Sequence, residues 1–165
     1  MTENSSASTQ PTQPTQQELV ITRIFDAPRE LVFKAWTDPR HVAQWWGPHG
    51  FTNPVCEIDA RPGGAILIHM QGSDGVVIPT KGVFQEVTEP ERLVLTLTNF
   101  EDAEGRPQLE IHNTVTFAEH EGKTKLTLRA VVVKGTPEVA ASLASMEEGW
   151  NESLDRLARS LIGNV

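Results

Sequence analysis

A run of strand-like segments followed by one long amphipathic stretch constrains the fold of this chain more than any other feature. Segments rich in apolar and β-branched residues are separated by turn residues, as at Ser73-Asp74-Gly75 and Glu121-Gly122, and this pattern is typical of hairpins. The predicted strands are 51–60, 64–70, 76–88, 91–99, 109–118 and 123–133. The pattern therefore predicts an antiparallel meander.

The last predicted strands alternate between apolar and polar side chains. In the segment 123–133, Leu126 and Leu128 fall on one face, whereas Lys125 and Thr127 fall on the other. Such alternation indicates a sheet with one solvated face and one apolar face. The apolar face needs a cover.

One helix near the C-terminus can supply that cover. Thr136-Pro137 starts a predicted helix of about 25 residues whose apolar side chains recur at spacings of three and four. These side chains are Val139, Leu143, Met146, Trp150, Leu154, Leu157 and Leu161. Gly149 interrupts the helix at a cost of up to ~1 kcal/mol relative to alanine, which suggests close backbone approach or space reserved beside Trp150.

The segment before the meander adds one strand and two short helices. The strand runs from Leu19 to Phe25, and Asp26-Ala27-Pro28 and Asp38-Pro39 each start a helix, since proline is tolerated at the first helical position. Residues 1–17 are almost entirely polar or proline and are predicted to be a disordered tail. Residues 18–165 are expected to form a single α+β domain.

Composition excludes several classes of partner. The net charge of −8 disfavours binding to nucleic acid, and no segment approaches the ~20 apolar residues needed for membrane insertion. The one cysteine, Cys56, rules out an internal disulfide and fits a cytoplasmic location. The exposed edge of a curved sheet is compatible with a homodimer.

The four tryptophans pose the main question about function. They lie in three short segments, around Trp36, around Trp45-Trp46 and at Trp150. A tryptophan carries a large apolar surface and one polar N–H group, so such a cluster builds either a core or the wall of an apolar cavity.

Short motifs spread along the chain resemble a known family. The sequence is similar to the stand-alone bacterial family named after the activator of the heat-shock-protein-90 ATPase, within the START-like or SRPBCC superfamily. The motifs that carry this resemblance are Asp26-Ala27-Pro28, Ala35-Trp36-Thr37-Asp38-Pro39, Trp45-Trp46-Gly47-Pro48, Gly63-Gly64, Gly82-Val83-Phe84-Gln85-Glu86-Val87, Pro90-Glu91-Arg92-Leu93, Thr124-Lys125-Leu126-Thr127-Leu128 and Gly149-Trp150.

The resemblance implies a helix-grip fold, in which a curved antiparallel sheet of about seven strands wraps around a long C-terminal helix. It also implies a deep apolar cavity between the sheet and that helix. The residues expected to form its wall, unless they pack against one another, are Trp45, Trp46, Ile66, Ile68, Met70, Phe84, Met146 and Trp150. Methionines suit such a wall because the unbranched thioether adapts to irregular space.

Signals of catalysis are few. The sequence contains no phosphate-binding loop, CxxC, HExxH or nucleophile elbow, so no cofactor and no metal are expected. His69 is the weak candidate for a catalytic residue, because it shares its strand with apolar residues and could act as a general acid or base if it faces the cavity. Arg61 and Arg129 could bind a ligand carboxylate or enolate, or simply face solvent.

Three functions remain open at this point. The first is binding of a small hydrophobic molecule, lipid-like or polyketide-like. The second is a cyclase or hydrolase acting on a hydrophobic substrate. The third is a chaperone-associated module, suggested by the family name, although the 17-residue polar tail cannot replace the separate N-terminal domain of the eukaryotic co-chaperone.

Overall fold

The computed structural model describes residues 17–101, 103–104, 106–135 and 143–162. These residues form seven strands and three helices. In chain order they are β1 (Gln17–Phe25), α1 (Arg29–Thr37), α2 (Pro39–Trp45), β2 (Thr52–Ile58), β3 (Ala65–Gln71), β4 (Val77–Thr88), β5 (Arg92–Glu101), β6 (Pro107–His120), β7 (Lys123–Gly135) and α3 (Leu143–Ile162). The order of elements is the predicted one.

The strands form one antiparallel sheet in the order β1-β7-β6-β5-β4-β3-β2. Each strand from β2 to β7 pairs with the next one in sequence, as expected for a meander, and β1 closes the sheet against β7. The predicted helix-grip fold, a curved seven-stranded sheet with a C-terminal helix, is confirmed. The predicted start of that helix at Thr136-Pro137 and its residue Val139 lie outside the described residues, as do residues 1–16 of the predicted tail.

The apolar face predicted from alternation is the buried one. Leu126, Leu128 and Ala130 of β7 are fully buried, as is Val115 of β6. Leu154 and Leu157 of α3 are fully buried as well, and α3 contacts β1, α1 and α2. The helix thus covers the concave face at the β1 side of the sheet.

Local sequence explains where the short helices lie. Asp38 caps α2, because its carboxylate accepts a hydrogen bond from the backbone N–H of Arg40 at 2.9 Å and Pro39 occupies the first turn. Gly47, which follows the C-cap residue Trp46 of α2, has φ +95°, a left-handed conformation that favours glycine. The turn at Gly47 directs the following segment, 48–51, into β2. Of the helices in the described residues, none pairs the length with the apolar character that a membrane crossing needs.

Candidate functional site

The four tryptophans form one cluster that is buried at one end and open at the other. Trp36 packs on Trp45, with ring centroids 4.8 Å apart, and stacks on Trp150 at 5.8 Å. Trp46 meets Trp150 edge to face at 5.3 Å. Trp45 is fully buried and its Nε1 donates a hydrogen bond to the carbonyl of Ala35 at 2.9 Å, whereas Trp150 is only half-buried. The open end of the cluster is therefore formed by Trp150, whereas Trp36, Trp45 and Trp46 are buried.

Arg156 of α3 holds the segment after α2 in place. Its Nη1 lies 3.0 Å from each of the carbonyl oxygens of Trp46, Gly47 and Pro48, and its Nη2 donates to the carbonyl of Gln44 at 3.0 Å. These carbonyls belong to the C-terminal end of a helix and the turn beyond it, where a cation is favoured by the helix dipole. Partial burial lowers the pKa of Arg156, and the neighbouring charge of Arg159 lowers it further.

Two further side chains fix the same segment. The hydroxyl oxygen of Ser153 accepts a hydrogen bond from the backbone N–H of Gly47 at 3.0 Å. The Nδ2 of Asn53 donates to the carbonyl of Trp46 at 2.9 Å. The position of the Trp46 ring is thus set by contacts from both α3 and β2.

A cavity of about 390 Å³ lies beside these rings, between the N-terminal half of α3 and the concave face of β3 to β6. Its wall is mostly apolar, and none of its described residues has an ionisable side chain. The described lining residues are Trp46, Gly47, Pro48, Met70, Ile78, Thr80, Leu97, Asn99, Leu109, Ile111, Asn113, Met146, Gly149, Trp150 and Ser153.

The structure brings together some of the residues proposed for the wall and separates others. Trp46, Met70, Met146 and Trp150 all line the cavity. Ile66, Ile68 and Phe84 instead surround a void of about 10 Å³, which is barely large enough for a water molecule, and Trp45 is fully buried in the core. Ile66, Ile68 and Phe84 thus lie in the packed half of the concave face, and Trp45 belongs to the core on α2.

Gly149 lines the cavity and is not part of a close contact between α3 and its neighbours. A Cβ atom built on it would come no closer than 3.9 Å to Pro48 Cγ, which is an ordinary contact distance. Of the two explanations offered by the sequence, close backbone approach does not apply here. The missing side chain leaves space beside Trp150.

Sequence reasoning proposed only Phe84 from β4 to β6 and missed the residues of these strands that line the cavity. These strands supply Ile78, Thr80, Leu97, Asn99, Leu109, Ile111 and Asn113. A signal for one of them was present, because the alternation that places Ile111 and Val115 on the apolar face also places the polar Asn113 there. Asn113 is only 1% exposed.

The polar candidates for catalysis lie away from the cavity. His69 alternates with Ile68 and Met70 along β3, so its side chain is on the opposite face of the sheet. Arg61 pairs with Asp59 at 2.9 Å, and Arg129 pairs with Glu18 on β1. Within the described residues, no group of three His, Cys, Asp or Glu side chains is arranged to hold a metal ion.

Cys56 on β2 is predicted to be a poorly reactive thiol. Burial raises its pKa from the ordinary value of 9.0 to about 11. Because of this higher pKa, the thiolate fraction at pH 8 is about a hundredfold smaller in the folded protein than in the unfolded chain. Only the thiolate reacts with an alkylating reagent. Alkylation by iodoacetamide, followed by mass spectrometry, should be slower in the folded protein by about this factor. Equal rates with and without denaturant would contradict the raised pKa.

An antiparallel sheet that wraps around a helix, with an apolar cavity between them, defines the helix-grip class of folds. Sequence comparison identifies the family within this class. A family model described as activator of Hsp90 ATPase homolog 1-like protein matches residues 26–161. The chain therefore belongs to this family, which confirms the resemblance seen in the motifs and is consistent with an SRPBCC-type protein. A search of curated proteins gave no match.

Solved structures of bacterial proteins share the fold over nearly their whole length. The AHSA1 protein of Silicibacter pomeroyi is 26% identical, with a TM-score of 0.76 and coverage of 90% of this chain and 100% of that one. A protein from Chromobacterium violaceum is 28% identical, with a TM-score of 0.73 and coverage of 87% and 96%. A protein from Nitrosomonas europaea is 26% identical, with a TM-score of 0.73 and coverage of 89% and 95%. The family is consistent with a fold that binds hydrophobic ligands.

Proposed function

We propose that this protein binds a small, uncharged hydrophobic molecule, lipid-like or polyketide-like, in the cavity between α3 and β3 to β6. The observation that carries the proposal is the cavity itself. Its volume of about 390 Å³ is typical of small-molecule sites, and its described wall combines apolar side chains with a few polar groups.

The wall has the chemistry that such a ligand needs. Burial of apolar surface contributes about 25 cal/mol per Å², and the rings of Trp46 and Trp150 offer large rigid surfaces to a ligand. Met70 and Met146 can adapt to its shape. An ionised group would lose hydration without gaining an oppositely charged partner among the described wall residues, so charged molecules are disfavoured.

The distribution of polar groups favours binding over catalysis. A general acid or base must come within hydrogen-bonding reach of its substrate, and His69 lies on the other face of β3. The arginines proposed for a carboxylate or enolate, Arg61 and Arg129, are exposed and paired with acids. The chaperone-associated alternative rests on the family description alone.

Ligand titration tests the proposal directly. We would screen uncharged apolar compounds, including flavonoids, fatty alcohols and polyketide-like aromatics, by thermal shift and by tryptophan fluorescence. A ligand that binds only the folded state stabilises it by about 2.7 kcal/mol at a concentration of 100 times its Kd. The proposal is wrong if no compound in the panel changes either the melting temperature or the fluorescence.

Filling the cavity should weaken ligand binding without harming the fold. Ile111→Trp adds volume on the concave face, so we expect the affinity for any hit of the screen to fall at least tenfold, roughly the effect of losing 1.4 kcal/mol of contacts. Thr114→Trp places the same ring on the opposite face of β6 and is the matched control. Isothermal titration calorimetry should show weak binding for the first variant and unchanged binding for the second. Unchanged binding by Ile111→Trp and weak binding by Thr114→Trp would mean that the ligand binds outside this cavity.

A further inference from the structure

We propose that the natural ligand carries a hydroxyl or N–H group that donates a hydrogen bond to Oδ1 of Asn113 in the cavity wall. This inference rests on the proposed function and narrows its ligand class to apolar molecules with a hydrogen-bond donor. Asn113 lies in the middle of β6, opposite Leu95 of β5 and Ala130 of β7. Its side chain points to the concave face and borders the cavity.

The orientation of the Asn113 amide is determined by its neighbours. Its Nδ2 donates to the carbonyl of Ile111 at 3.2 Å and to the carbonyl of Leu95 at 3.5 Å. Both partners are acceptors, so the opposite orientation would bring Oδ1 against two carbonyl oxygens. The NH₂ group of Asn113 is therefore hydrogen-bonded to backbone carbonyls of the sheet. The atom without a partner is the acceptor Oδ1.

That acceptor has no partner in the described part of the protein. Oδ1 of Asn113 is buried, and no described group donates a hydrogen bond to it. A buried polar atom without a partner is unfavourable, and natural proteins keep few of them. Because Asn113 borders the cavity, a bound molecule can supply the missing donor after a small adjustment of the wall.

The other polar groups of the wall differ from Asn113 in this respect. Asn99 donates to the hydroxyl oxygen of Thr80 at 2.7 Å and to the carbonyl of Pro79 at 2.9 Å. Ser153 accepts a hydrogen bond from Gly47. Of the described residues that line the cavity, Asn113 is the only one with a buried side-chain N or O atom that has no hydrogen-bond partner, and this atom is an acceptor that selects for a donor.

Matched pairs of compounds test this selectivity. An alcohol can donate to Asn113, but its methyl ether can only accept, although the two have almost the same apolar surface. We would measure Kd for decan-1-ol against 1-methoxydecane, and for 2-naphthol against 2-methoxynaphthalene, by calorimetry on the full chain. We expect at least one alcohol to bind about tenfold more tightly than its ether, the typical effect of satisfying one buried acceptor.

The variant Asn113→Leu tests whether the preference for the alcohol over its ether depends on Asn113. The variant removes the acceptor with little change in size, so the ratio of the two dissociation constants should fall to about one. The variant also loses the two hydrogen bonds that Nδ2 donates to the carbonyls of Ile111 and Leu95, so its folding is checked by thermal denaturation before the dissociation constants are compared. Thr114→Leu, on the other face of β6, should keep the wild-type ratio.

The outcomes separate the two proposals. If alcohols and ethers bind the wild-type protein equally well, or if the preference survives in Asn113→Leu, the donor inference is wrong and the proposed function stands. If neither the alcohols nor the ethers nor any compound of the screen binds, the proposed function fails and the inference fails with it. The comparison on the wild-type protein needs no variant, so it is decisive even if Asn113→Leu does not fold.

Discussion

Replacing Trp45 by alanine is expected to lower the free energy of unfolding by about 3–5 kcal/mol, the usual cost of deleting a buried aromatic side chain. Trp45 is fully buried, packs on Trp36 and Trp46, and donates its Nε1–H to the carbonyl of Ala35. The truncation leaves both a void and a buried carbonyl without its partner. Urea denaturation followed by circular dichroism would measure the loss.

Trp150→Ala is the informative comparison for this prediction. Trp150 is half-buried and lines the cavity, so its truncation removes less buried surface and enlarges the ligand site. We expect a smaller loss of stability than for Trp45→Ala, because less buried surface is lost, together with weaker ligand binding. Equal stability losses for the two variants would contradict the division of the tryptophans into core and wall.

Removing the guanidinium of Arg156 is expected to lower the free energy of unfolding by about 2–3 kcal/mol, the scale of hydrogen bonds made by a charged donor. Arg156→Met keeps most of the aliphatic stem but leaves the carbonyls of Gln44, Trp46, Gly47 and Pro48 without their common donor. For a domain of this size the melting temperature should fall by about 2–4 °C per kcal/mol. Differential scanning calorimetry would measure this fall in melting temperature.

The conservative variant Arg156→Lys distinguishes the effect of the positive charge from that of the guanidinium geometry. Arg156→Lys keeps the positive charge near the end of α2, but an ammonium group cannot reach four carbonyls as the planar guanidinium does. We expect it to recover only part of the stability. Because Arg156 holds the segment that carries Trp46, both variants should also weaken binding at the cavity. Full recovery by lysine would mean that the charge alone matters.

Much of the fold followed from local patterns. The alternation of Leu126, Leu128 and Ala130 with polar neighbours identified the buried face of β7, since side chains of a strand point to opposite faces in turn. Asp38-Pro39 marked the start of α2 because capping and proline act within one turn of helix. Such signals depend on a few adjacent residues, so a single sequence contains them.

The division of the concave face into core and cavity did not follow from those patterns. Ile68 and Met70 occupy equivalent positions of the same alternation, yet Ile68 borders a void of about 10 Å³ and Met70 borders a cavity of about 390 Å³. The difference arises from where α2 and α3 pack across the sheet. The face of His69, in contrast, follows from the alternation itself, because His69 lies between Ile68 and Met70 in β3.

By itself the sequence determined the type and order of the elements, the buried face of the sheet and the family, because these depend on period, capping and motifs within short segments. Only the tertiary structure decided that Trp45 is core while Trp46 and Trp150 are wall, and that Asn113 lines the same cavity as these two rings. These residues are distant in the chain. Their proximity results from strand register and helix packing, which are properties of the whole fold.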